Sequence, residues 1–148
     1  MIRAVAVIVL GACAAACGSS SSAGPTVANV AGTWSGTIQF THISNGAPVQ
    51  AVQDVTLNLA ENGSVVTGTW QTSGGTVAKQ GSVNGTTTAS SFSGTFTFLG
   101  TTIATGTMCS GTLSVSGGAG GSVLTWTSPG VVGNCNDPPT NVTFSVSR

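Results

Sequence analysis

The stretch Ser91-Phe92-Ser93-Gly94-Thr95-Phe96-Thr97-Phe98-Leu99 decides how the chain is read. Phe92, Gly94, Phe96 and Phe98 fall on one side of a two-residue alternation, and Ser93, Thr95 and Thr97 fall on the other. Successive side chains of a strand point to opposite faces, so this is an extended segment with one face for a core and one for water. A helix would need apolar residues recurring three and four apart, and no segment sustains that spacing long enough.

The same period recurs on both sides of this stretch. Trp34, Gly36, Ile38 and Phe40 alternate with Thr33, Ser35, Thr37 and Gln39; Val55, Leu57 and Leu59 with Asp54, Thr56 and Asn58. Val66-Gly68-Trp70, Gly111-Leu113-Val115, Leu124-Trp126 and Val142-Phe144-Val146 follow the same rule. The joints are Asn45-Gly46, Asn62-Gly63, Gly74-Gly75, Asn84-Gly85, Gly100-Thr101, Gly117 to Gly121, and a longer loop from Pro129 to Pro139. Asn and Gly tolerate the positive φ that tight hairpins require. Seven joints separate eight strands, expected at 32–42, 50–60, 64–72, 76–83, 91–99, 105–116, 122–128 and 140–147.

Short connections make neighbours in sequence neighbours in the sheet, which is an antiparallel up-and-down meander. Such a sheet must hide its apolar face. Closing it into an eight-stranded barrel does so and removes both edges, with a two-layer β-sandwich as the alternative. Gly36, Gly68, Gly94 and Gly111 lie on the inward set, where a missing side chain permits the sharp coiling that closure needs.

Composition excludes whole classes of function. The 148 residues hold three Lys and Arg, three Asp and Glu, one His and no Tyr, with net charge zero. Phosphate recognition needs a basic stripe, and Arg3, Lys79 and Arg148 do not make one, so nucleic acid is not expected as a partner. Acid–base, nucleophilic and metal chemistry draw on residues this chain almost lacks, so neither an enzyme, a metal site nor a cofactor is expected. An outer-membrane barrel also alternates, but the aromatic girdles of that class are missing.

The N-terminus reads as an address. Met1-Ile2-Arg3 is a short positive region, Ala4 to Leu10 an apolar run, and Gly11 to Cys17 a run of small residues. This is a signal peptide, too short to span about 30 Å of hydrocarbon. Leu10-Gly11-Ala12-Cys13 resembles the bacterial lipobox, and Ala14-Ala15-Ala16-Cys17 is a second match; the resemblance implies acylation of a cysteine. Cys17 is read as the acylated residue, with Cys13 as the alternative. Cleavage before Cys17 leaves a signal peptide of usual length and an even pair of thiols in the mature chain. The expected organisation is a signal peptide over 1–16, a Ser/Gly-rich tether over 17–29 and a barrel over 30–148. Gly18 after the acylated cysteine, by family pattern, implies the outer membrane of a bacterial envelope.

Gly32-Thr33-Trp34 resembles the Gly-x-Trp opening shared by lipocalins and avidins, calycin-like meander barrels that bind small molecules at an open end. Thr67-Gly68-Thr69-Trp70 is similar to a strand of the avidins. Where the avidin pattern has polar ligand contacts on the first strand this chain has Gly36 and Phe40, and where it has a third-strand Tyr this chain has Trp70.

Candidate sites follow. Cys109 and Cys135, 26 positions apart in an oxidising compartment, are expected to form a disulfide. Trp34, Trp70, Trp126 and Phe96 are expected to fill the core, and to line a ligand pocket if the interior is incompletely filled. Lys79 alternates with Val77 and Val83 and would face inward. An unpaired buried ammonium is costly, so a bulge near Gln80-Gly81 is expected to turn it out. His42 is expected to be solvated at a strand end, and its spacing to Asp54 and the serines supports no catalytic triad. Asn62, Asn84 and Asn141 match a glycosylation pattern that a bacterial lipoprotein does not use. Two readings of function remain: a membrane-tethered module binding a small, mostly apolar ligand in the barrel mouth, or a structural lipoprotein with a filled barrel that meets another envelope component.

Overall fold

The computed structural model describes residues 28–75, 77–102 and 106–148. Cys13, Cys17, the signal peptide and the tether up to residue 27 lie outside the described residues. The rest forms eight strands: β1 (Gly32–Ser44), β2 (Ala47–Asn62), β3 (Val65–Ser73), β4 (Val77–Thr87), β5 (Ser91–Thr102), β6 (Met108–Gly118), β7 (Val123–Gly133) and β8 (Thr140–Ser147). Each pairs antiparallel with the next, and β8 pairs with β1, so the sheet is a closed up-and-down barrel and not a sandwich.

The alternation places the greasy side of every strand inside. Trp34, Trp70, Trp126, Phe92, Phe96 and Phe144 are fully buried, while the intervening Ser, Thr, Asn and Gln face out. This is the reverse of a barrel that faces lipid. The rings interlock along the axis. Phe92 stacks on Trp126 at 4.2 Å, Trp126 meets Phe96 edge-on at 5.9 Å, and Phe144 meets Trp70 at 90° and 5.7 Å. Such contacts add to the area each ring buries. Gly36 shows why the core can be this narrow: a Cβ there would lie 2.1 Å from Ser145 O on β8. Gly68, Gly94 and Gly111 are similarly crowded by backbone oxygens of neighbouring strands.

Two expected joints are strand instead. Asn84-Gly85 lies within β4, and the chain turns at 88–90, where Thr88 N–H donates to Ser91 O. Gly85 pairs with Gly94 and lies under the Phe92 ring, so it makes room for an aromatic and does not turn the chain. Gly100 likewise sits in β5 against the Phe98 ring. The long loop shrinks as well, because β7 runs on through Pro129 to Gly133.

The two ends of the barrel differ. At the end where residue 28 enters, Val30 is completely buried and forms a plug. Its carbonyl accepts from Trp34 Nε1 at 2.8 Å, and its N–H donates to Glu61 Oε2 at 2.8 Å. The Arg148 guanidinium covers the Trp34 ring at 4.5 Å and donates to Ala31 O and Asn29 O. This end is closed. The other end carries the β1–β2, β3–β4, β5–β6 and β7–β8 connections, and among the described residues it is open.

Candidate functional site

The open end holds a cavity of about 500 Å³. Its floor is the last aromatic layer of the core, Phe40 from β1 and Phe98 from β5; Phe98 lies 6.2 Å from Trp70 beneath it. One wall is the disulfide Cys109–Cys135, formed as expected, which ties the start of β6 to the segment before β8. That segment is held twice more: Asn134 exchanges hydrogen bonds with Ser110, and both Asp137 carboxylate oxygens accept from the Ile43 N–H. A β7–β8 connection otherwise free to move is thereby fixed as a side of the site.

Lys79 projects into this cavity, which corrects the expectation that a bulge turns it outward. Pairing between β4 and β5 keeps one register on either side of the suspect stretch, Lys79 with Gly100 and Val83 with Phe96. The β3–β4 register is equally unbroken, so strict alternation survives and Lys79 faces in. The ladder is interrupted without being shifted. Thr97 O turns to accept from Trp70 Nε1 at 2.9 Å, and Ser82 N–H donates instead to Thr97 Oγ1. Gly81 makes that possible, since a Cβ there would lie 1.8 Å from Thr97 O.

Lys79 is 4% exposed. Its Nζ donates to Gln53 Oε1 at 2.5 Å and to Val77 O at 3.3 Å, and stands 4.2 Å over the Phe40 ring. Gln53 is itself held by donating to Gly74 O and Val77 O. No carboxylate pairs with the ammonium among the described residues. Burial alone pushes the Lys79 amine down from 10.5 to about 8, because removing water penalises the charged form. His42 also differs from expectation. It is half-buried on the cavity wall with its ring 6.0 Å from Phe40, and its Nδ1 is buried with no hydrogen-bond partner among the described residues.

No family model, no curated protein and no solved structure matches the chain.

The aromatics singled out as ligand-lining candidates are elsewhere. Trp34, Trp70, Trp126 and Phe96 are buried to 2% exposure or less in the filled part of the barrel, and none of them borders the cavity. The residues that do border it were legible in principle. Phe40, Phe98 and Gln53 are the inward or mouthward positions nearest the joints at 45–46, 74–75 and the β5–β6 connection. In a meander every second joint is at the same end, so alternation plus parity would have placed them together. Among the described residues no group of three or more His, Cys, Asp or Glu could hold a metal ion.

Proposed function

We propose that this barrel is a lipid-anchored binding module of a bacterial envelope that takes a small, mostly apolar ligand in its open end. The observation that carries the reading is the cavity. It has a volume typical of small-molecule sites, a floor of two phenylalanines, and a few convergent polar groups. A filled barrel serving only as a spacer has no need to keep a lysine inside, where its charge is uncompensated. Attachment through Cys17, with Cys13 as the alternative, rests on the lipobox resemblance. The chain enters the barrel at the closed end, so an anchor there leaves the mouth facing away from the membrane that holds it.

The test is thermal unfolding of the purified chain against decanoate, decanol and naphthalene, with Ala51→Phe as the control that fills the cavity at its rim. A ligand at about 100 times its Kd stabilises by about 2.7 kcal/mol. At least one probe should raise Tm in the wild type and not in Ala51→Phe. If none does, the reading falls to the structural lipoprotein. For the anchor, palmitate incorporation should vanish in Cys17→Ala and persist in Cys13→Ala; the reverse result moves the anchor to Cys13.

A further inference from the structure

Lys79 is the only lysine in the chain. It is placed where a lysine is least comfortable, buried above an aromatic ring, with two neutral oxygens and no carboxylate for company. As a structural element it is a poor choice, since an apolar residue of similar length would fill the same space without the cost of burying charge. As a nucleophile it is well made. The amine borders a cavity large enough for a ligand of ten or more heavy atoms, whose wall sets Phe40, Phe98 and the disulfide beside a few polar groups, Gln53, His42 and Asn134 among them.

We propose that the mouth captures apolar aldehydes as a reversible imine on Lys79, an inference that rests on the ligand-binding reading above and names its ligand class. The lone pair of the neutral amine attacks the aldehyde carbon, a C–N bond forms, and the carbonyl π pair moves to oxygen. A proton passes from nitrogen to that oxygen to give the carbinolamine. Protonated once more, the oxygen leaves as water while nitrogen forms the C=N bond. The balance is amine plus aldehyde to imine plus one water, and no oxidant or reductant is needed. Gln53 Oε1, which accepts from Nζ in the free protein, remains to accept from a protonated imine. The hydrocarbon tail lies over Phe40 and Phe98 at the floor of the cavity.

The state of the amine agrees with this. With its proton affinity lowered to about 8, about one amine in ten is neutral at pH 7, against about one in 3,000 for a lysine at 10.5. The other titratable groups facing the cavity are His42 from β1 and Asp137 from the segment before β8. The Asp137 carboxylate is engaged by the Ile43 N–H.

The experiment uses the full wild-type chain, so no variant needs to fold. Decanal is added at pH 7.0 with cyanoborohydride, and the adduct is located by peptide mass mapping, native and in urea with the disulfide intact. Hydride reduction fixes the imine as a secondary amine. Lys79 should be labelled at least tenfold faster in the native chain than in urea. Native labelling no faster than denatured labelling, or confined to the terminal amine, overturns the proposal. Decanol binding, read by thermal shift, separates the two claims: a Tm rise with decanol but no Lys79 adduct leaves the binding module intact and removes the imine.

Discussion

Replacing Lys79 by Met should stabilise the protein at neutral pH and abolish a rise of stability with pH in the wild type. The free amine is favoured in the folded state, with its pKa lowered from 10.5 to about 8, whereas the unfolded chain keeps the ordinary value. Below pH 8 both states hold the proton, and the folded state bears the full cost of burying it. Between pH 8 and 10.5 the unfolded state binds more protons than the folded one, so unfolding free energy rises with pH. At 1.36 kcal/mol per pH unit the ceiling is about 3 kcal/mol. The amine borders an open cavity, so screening by solvent reduces this to about 1–2 kcal/mol. The chain suits the measurement because it has no Tyr and no second Lys. With Cys13 and Cys17 replaced by Ala, only the terminal amine shares the window, and comparison with Lys79→Met cancels it. Urea unfolding followed by tryptophan fluorescence at pH 7, 8, 9 and 10 should give a rising line for the wild type and a flat one for Lys79→Met, meeting near pH 10. A wild type that is flat, or a Met variant less stable at pH 7, would refute the reasoning. In that case the hydrogen bond to Gln53 and the contact with Phe40 outweigh desolvation.

Three further outcomes are expected. Replacing Cys109 and Cys135 together by Ala should lower unfolding free energy by about 3.5 kcal/mol, the chain-entropy value for a loop of this size, and a thiol assay of the folded Cys13→Ala, Cys17→Ala chain should find no free thiol. Gly81→Ala should cost about 2–4 kcal/mol in denaturant titration, because its methyl group meets Thr97 O, and Trp70 must give up its indole hydrogen bond to relieve the clash. Arg148→Ala should cost about 1–2 kcal/mol and speed hydrogen exchange at the Val30 amide while leaving decanol binding unchanged, since the guanidinium serves the closed end alone.

Most of the barrel was legible because one physical signal repeats in seven of the eight strands. Ser or Thr alternating with a bulky residue fixes which face is inside, and Asn45-Gly46, Gly63 and Gly74-Gly75 turn the chain with the positive φ values their composition permits, Asn62 itself closing β2 opposite Val65. The same signal failed at Asn84-Gly85 and Gly100. A glycine in a strand and a glycine in a turn look alike in sequence, and only the Phe92 and Phe98 rings lying against them tell the two apart. Lys79 failed for another reason. The cost of burying an ammonium was weighed correctly, but a bulge was expected to relieve it, and register is a cooperative property of a whole strand pair. Shifting β4 by one residue would have moved Val83 out of the core as well, a loss that the relief of one charge does not repay.

The scarcity of charge makes the placement of each charged group informative. Glu61 and Arg148 act at the closed end, where each meets donors or acceptors that suit it and the result is a sealed plug. Asp137 at the other end is equally satisfied by a backbone N–H. Lys79 is the exception: the fold holds it inside, gives it neutral oxygens, and leaves beside it a space bounded by aromatic carbon. Stability alone would favour Met or Leu there, by the same arithmetic that predicts the pH-dependence above. A residue that weakens the fold at a cavity, while the other charges among the described residues either support the structure or stand in solvent, is what the proposed uptake of a ligand would require, and on that proposal the free amine makes an electrophilic carbon the group it is suited to hold.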